Sequence, residues 1–234
     1  MATWIVHLRL AENLLERIPG LDPAQFSIGN IAPDSGIPDA NWEHFDPPPE
    51  VTHFLRNDIA DDLVFYRKYL ANVAPQDAGR FSLRLGYFFH LVTDNLWDKI
   101  RNRAKERFGN ELKNDPNFRW EIKGDWYGLD LIYVRDHPDS LFWRVFLPAQ
   151  PEAFDLDFVP KRALEHQLNY IKTFYQRQDE EIQAMYYKRP YIYLSQAEVD
   201  AFVLEATDDL YKAYQTLWPT PPDLTGKHSV LEII

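Results

Sequence analysis

The chain contains no cysteine. That excludes disulfides and every thiolate metal site, so a metal could be held only by His, Asp and Glu, a ligand set that suits zinc, iron, nickel or manganese. Long apolar runs are missing too: none approaches the roughly 20 residues of a membrane-spanning helix. The opening stretch, Met1 to Arg9, carries histidine and charge and lacks the pattern of a cleavable signal peptide. These absences lead to the expectation of a soluble, cytoplasmic protein. Positive charge is scarce as well. Against 36 Asp and Glu stand 25 Lys and Arg, a formal net charge of −11. Nucleic-acid binding needs clustered basic residues and is not expected, and adhesion to an anionic membrane surface is disfavoured. A small anionic substrate stays compatible, because carboxylates that bind cations no longer present bare negative charge.

What is present is apolar and aromatic sequence in helical spacing. Of the 234 residues, 45% are hydrophobic and 15% aromatic, enough for one sizeable core. Residues 1–222 read as a single domain and 223–234 as a C-terminal tail. Thr3 is placed to cap a helix reaching Arg17, with Pro19-Gly20 ending it. Residues 19–57 are rich in turn signals and read as a long irregular stretch, of the kind that is usually functional. Further helices are expected over 58–73, 77–108, from Trp126 to just before Pro138, from Pro160 onward, and from the capping box Ser195-Gln196-Ala197-Glu198 to Trp218. No period-two strand series emerges. The expected class is all-α, a single-domain helical bundle.

Within the most apolar of these helices lie His90 and Asp94. Four residues apart, they share one face, and a buried imidazole and carboxylate are costly unless something satisfies them. A shared metal ion is one answer; a hydrogen-bonded pair that fixes the core is the other. Gly86, one turn earlier on the same face, suggests close approach by a backbone or a ligand, since glycine inside a helix costs roughly 1 kcal/mol relative to alanine. His7 aligns with Ala11, Leu14 and Ile18 and points inward. Asp34 and His53 fall in the long irregular stretch. His44, His137, His166 and His228 read as ordinary.

Taken together, Thr3-Trp4-Ile5-Val6-His7, Gly29-Asn30-Ile31-Ala32-Pro33-Asp34, Thr52-His53-Phe54 and Gly86-x-x-x-His90-x-x-x-Asp94 resemble, in order and spacing, the zinc-dependent phospholipase C family, which has single-strand nuclease relatives. The resemblance covers about residues 3 to 100. It implies an all-α hydrolase with metal at the bottom of a cleft: Asp34, His53, His90 and Asp94 around one ion, and His7 on a neighbouring ion that Asp94 bridges. Asp34 would also be the catalytic residue, as general base or as the group that orients the attacking water.

The chain departs from that pattern in two places. Secreted members use the amine and carbonyl of an N-terminal tryptophan as ligands, whereas Trp4 is internal here. They also carry a further histidine about ten residues past the central pair, then a His-x-x-x-Glu pair; position 100 is Ile, and neither His137 nor His166 has Glu four residues on. Asp125, Asp130 and His137 lie where a substitute site could form. One or two divalent ions, most simply zinc, are therefore expected. The implied function is hydrolysis of a phosphodiester by a metal-activated water, with a small phosphate ester or a phospholipid head group as substrate. The alternative is a non-catalytic, metal-stabilised helical binding domain. A nucleotide phosphohydrolase of another all-α type is disfavoured by the lack of an adjacent His-Asp doublet. Trp4, Trp42 and Trp97 are candidate cleft walls.

Overall fold

The computed structural model describes residues 1–41, 43–115 and 117–234; Trp42, a candidate cleft wall, lies outside the described residues. The protein is mostly helical, 63% helix against 3% strand, and among the described residues no helix is long and apolar enough to cross a membrane. Its centre is α5 (Ala78–Asn114), whose residues Leu83 to Val92 are almost all inaccessible to solvent. Around it pack α1 (Trp4–Arg17), α2 (Pro23–Gly29), α6 (Phe118–Asp136) and, after the short α8 (Glu180–Ile182), α9 (Gln196–Leu217). The helix α7 (Lys161–Tyr175) closes the side on which the chain begins, with Tyr170 and Tyr175 against Trp4.

Two glycines set the closest helix contact. A Cβ on Gly29 would overlap the Leu83 carbonyl oxygen, and one on Gly86 would overlap that of Phe26. The space that Gly86 leaves is thus filled by the backbone of α2. That approach brings the Asn30 carbonyl beside α5.

The stretch 19–57 contains more regular structure than its turn residues suggested. Besides α2 it holds a 3₁₀ turn (Ala32–Asp34), a two-residue hairpin of β1 (Ile37–Pro38) and β2 (Phe45–Asp46), and the short α3 (Pro49–Thr52). The helix expected over 58–73 is shorter. Its start is taken by a second hairpin, β3 (Leu55–Arg56) with β4 (Ile59–Ala60), so Ile59 is exposed. Helix follows as α4 (Asp62–Phe65), continuing in wider turns to Leu70. Asn57 and Asp58, both at positive φ, make the hairpin turn; short polar side chains tolerate that conformation best.

Elsewhere the boundaries moved for local reasons. The expected end of the central helix, Phe108, is where its backbone leaves helical geometry, but helix resumes to Asn114. Helix α6 begins eight residues before Trp126, through exposed turns without an apolar stripe. Pro160 stands just outside α7 as its N-cap. Thr3 caps α1 by position only, because its hydroxyl donates to Asp130 instead. The capping box at Ser195 and Glu198 forms in full. The last twelve residues dock onto α4: the Ser229 hydroxyl and the Val230 amide donate to Asp62, and Val230 is buried.

Candidate metal centre

Five side chains from four elements meet where α1 crosses α5. His7 comes from α1, Asp34 from the 3₁₀ turn after α2, His53 from the residue that ends α3, and His90 and Asp94 from consecutive turns of α5. All the residues singled out as ligands therefore share one place. His7 and His90 are fully buried, and His53 and Asp94 nearly so; the side chain of Asp34 is the most accessible, at 11%.

Four atoms converge. His53 Nε2 lies 3.3 Å from Asp34 Oδ1 and 3.5 Å from Asp94 Oδ2. His90 Nε2 lies 3.5 Å from Asp94 Oδ2, 3.8 Å from Asp34 Oδ1 and 3.3 Å from His53 Nε2. Ligands 2.0–2.1 Å from a tetrahedral ion are separated by about 3.3–3.4 Å, so these spacings about His53 and His90 are near the edges of such a shell, while Asp34 and Asp94 belong to two different groups of mutually close ligands that share His90.

Hydrogen bonds behind these atoms orient them. The Nδ1–H of His90 donates to the Asn30 carbonyl at 2.8 Å, which leaves the lone pair on Nε2 aimed at the centre. His53 Nδ1 is 3.0 Å from the Thr52 hydroxyl, so its Nε2 also faces inward. Two imidazole nitrogens that close repel if both present lone pairs; a proton or a cation between them removes the conflict. Asp34 is held from the other side by the indole N–H of Trp4, which donates to Oδ2 at 2.7 Å. Phe54, directly after His53, has a φ of 53°, a left-handed backbone that costs a bulky residue of order 1–3 kcal/mol. Its ring packs among Phe65, Tyr69 and Phe158, and that packing holds the strained turn that aims His53.

His7 is placed differently. Its ring stacks on that of His90, centroids 3.9 Å apart and planes within 5°. Its Nε2 is 3.5 Å from Asp94 Oδ1, yet among the described residues neither ring nitrogen has a hydrogen-bond partner, and Asp94 Oδ2 also has none. The Ala2 amide donates to Asp94 Oδ1 at 2.7 Å. Asp94 thus turns one oxygen toward His53 and His90 and the other toward His7.

Charge follows the same division. Burial, then the nearby His90, lowers the pKa of His7 to about 4, so it is neutral at pH 7. Burial pulls His90 the same way, but Asp94 and Asp34 outweigh it and hold His90 above its ordinary value. For Asp94, burial favours the neutral acid, but His90 and the chain's amino terminus outweigh it and hold the carboxyl well below its usual range. In Asp34 burial is likewise outweighed by His90 and His53. Both carboxylates are ionised at neutral pH, as metal ligands must be.

The substitute site considered at Asp125, Asp130 and His137 does not form. Asp125 is buried against Arg189 and the amides of Tyr193 and Leu194. Asp130 accepts from Thr3 and Tyr175, and His137 is exposed, stacked on Tyr133. Among the described residues, the groups able to hold a metal are His7 with His90 and Asp94, and Asp34 with His53 and His90. Trp97 is no cleft wall, being fully buried against Trp126 and Phe202. Trp4 does reach the centre, and sequence spacing alone does not reveal its hydrogen bond to a residue 30 positions away. Comparison with protein-family models, curated proteins and solved structures finds no match.

Proposed function

We propose that this chain is a metal-dependent phosphoesterase resembling the zinc-dependent phospholipase C family and acting on a phosphodiester. The observation that carries the metal is the convergence of two groups that share His90, Asp34 with His53 and His90, and His7 with His90 and Asp94, with the Nε2 atoms of His53 and His90 3.3–3.8 Å from the Asp34 and Asp94 oxygens. The orphaned Asp94 Oδ2 and both orphaned nitrogens of His7 fit the same group, since buried polar atoms are rarely left unpaired. Two carboxylates with neutral imidazoles form the borderline donor set that zinc accepts. The ring nitrogens and carboxylates that would hold it are already turned inward by Asn30, Thr52 and Trp4. A bound divalent ion supplies Lewis acidity there, acidifying a coordinated water and offsetting charge that builds on phosphoryl oxygens.

The protein's own groups then have distinct tasks. Asp34 is the most accessible of the five, and its low proton affinity suits it to accept a hydrogen bond from the attacking water rather than to remove the proton outright. The Trp4 indole fixes its carboxylate plane. Asp94 joins His53 and His90 to His7, and His7 with His90 and Asp94 offers a second, weaker position.

A second reading, a metal-stabilised binding domain without catalysis, is favoured by how enclosed His7 and His90 are. One experiment separates the two: elemental analysis of the purified protein, followed by a panel of chromogenic phosphomonoesters and phosphodiesters with zinc present. Bound metal with turnover that is lost in Asp34→Asn supports the hydrolase. Bound metal without turnover on any ester favours the binding domain, and no metal rejects both.

A further inference from the structure

The second half of α5 and the first turns of α6 leave the centre of the core, and of their apolar residues only Ala104, Leu112 and Phe118 pack, half-buried, against it. From Arg101 to Glu121 no described residue is buried. The 14 residues from Arg101 to Asn114 extend about 20 Å at the helical rise of about 1.5 Å per residue. The two arms are pinned near the tip by Phe108, Phe118 and Tyr193, ring centroids 5.2–6.0 Å apart. The hairpin is therefore an ordered projection.

Its charge is opposite to that of the rest of the chain. Between Lys99 and Lys123 there are eight Lys and Arg against four Asp and Glu, whereas the whole chain has 25 against 36. Lys99, Arg101 and Arg107 have acidic partners, Asp209, Asp98 and Glu198; no ion pair is found for Arg103, Lys105, Lys113 or Arg119 among the described residues. The hairpin also carries the exposed Trp120, 53% accessible, with Arg119 and Lys123 over its ring at 5.3 and 4.9 Å. Exposed tryptophan flanked by long basic side chains is the composition that settles at a lipid interface: the amphipathic ring sits at head-group level while the cations meet anionic lipid. An oligonucleotide-binding surface would need more clustered phosphate contacts and an array of stacking rings, and the hairpin presents one accessible tryptophan.

The hairpin's base adjoins the metal centre. Lys123, Tyr127 and Asp130 lie on one face of α6; Asp130 holds Thr3, Tyr127 packs on Trp4, and Trp4 holds Asp34. Lys123 is half-buried. Burial and the nearby Arg119 lower its proton affinity, and the charge of Asp34 acts in the opposite direction.

We propose that the α5–α6 hairpin docks the protein on an anionic phospholipid surface, with Trp120 at the interface, and so brings phospholipid head groups to the accessible edge of the metal centre. The docking rests on the hairpin alone; delivery of head groups as substrate rests on the phosphoesterase reading.

The test is co-sedimentation of the full chain with sucrose-loaded vesicles of phosphatidylcholine alone or mixed equally with phosphatidylglycerol. Retention is expected on the mixed vesicles only, falling as added salt shortens the screening length. Trp120→Ala and the double variant Arg103→Glu/Lys113→Glu should each weaken it at least tenfold. All three positions are exposed, so an unchanged circular dichroism spectrum is expected. Lys212→Glu, exposed on α9, should bind as the unaltered chain does. No retention on the mixed vesicles, equal retention on both kinds, or equal loss in Lys212→Glu overturns the proposal. Binding of a labelled oligothymidylate that the hairpin variants abolish, without vesicle binding, overturns it in favour of nucleic acid. The assay needs no turnover, so its outcome is independent of whether the metal centre hydrolyses anything.

Discussion

Asp94 and Asp130 are both buried carboxylates, and both accept a hydrogen bond from the first residues of the chain: Asp94 from the Ala2 amide, Asp130 from the Thr3 hydroxyl. Beyond that they diverge. Each oxygen of Asp130 has a hydroxyl donor, Thr3 on one side and Tyr175 at 2.6 Å on the other. Asp62 is similar, accepting from Ser229, Val230 and Asn95. These carboxyls tie distant segments together, and burial, outweighing their donors, lifts each pKa to about 7. Asp94 has an oxygen with no donor, facing two imidazole nitrogens, and its proton affinity is lowered. A carboxylate satisfied by protein donors is a tether. One that converges with imidazole nitrogens is a site that could hold a cation.

The largest expected effect breaks the comparison at Asp94. Asp94→Ala should remove both metal positions, abolish any rise in melting temperature on adding zinc, and leave His7, His53 and His90 without their shared counter-charge. Asp130→Asn should keep its metal. Elemental analysis of both variants checks this, and equal metal loss in the two would erase the distinction. His7→Ala is expected to remove no more than one equivalent.

Next in size is Gly86→Ala. The added methyl has no room against the Phe26 carbonyl, so α2 must shift; overpacking of this kind typically costs about 1–3 kcal/mol. Because α2 leads directly into Asn30, which orients His90, zinc affinity should fall along with denaturant stability. A stable variant with unchanged affinity would separate the helix contact from the site.

The tethers sharpen the comparison through pH. A carboxyl whose folded pKa is raised from 3.8 to about 7 contributes stability that is complete below pH 3.8 and is lost as pH rises through 7. Asp130 and Asp62 should therefore make the metal-free protein less stable on going from pH 5 to pH 8, by a few kcal/mol at most. Asp130→Asn should flatten part of that slope. Urea unfolding across the range would show it, and an unaltered slope would mean that the donors keep Asp130 ionised throughout. The smallest effect is expected for Trp4→Phe, which retains the ring but removes the donor to Asp34. Loss of such a supporting hydrogen bond typically weakens metal binding about 10- to 100-fold, with stability changed by about 1 kcal/mol.

How much of this was legible in the sequence depended on distance along the chain. The His90–Asp94 face and the inward side of His7 followed from helical spacing, which local sequence encodes directly. Asp34 and His53 carry no period; they entered through the resemblance and its motif order, and the structure places them beside the helical pair. The partners that orient the centre, Asn30 on His90 and Trp4 on Asp34, bridge 60 and 30 residues, and no local pattern records them. Misreadings had equally physical causes. Ile59 fitted a helical stripe but lies in a hairpin, and Trp97 looked like a cleft wall but fills the core. Asp125, Asp130 and His137 shared a stretch of sequence while their side chains serve separate neighbours. The early turns of α6 escaped because they face solvent and have no apolar stripe.

The most direct measurement is diffraction at the zinc edge from crystals grown with zinc. The account predicts an anomalous peak about 2.0–2.1 Å from Asp34 Oδ1, His53 Nε2, His90 Nε2 and Asp94 Oδ2, with any weaker second peak between His7 Nε2 and Asp94 Oδ1. A centre without anomalous density, with His53 and His90 hydrogen-bonded to the two carboxylates in its place, would contradict it.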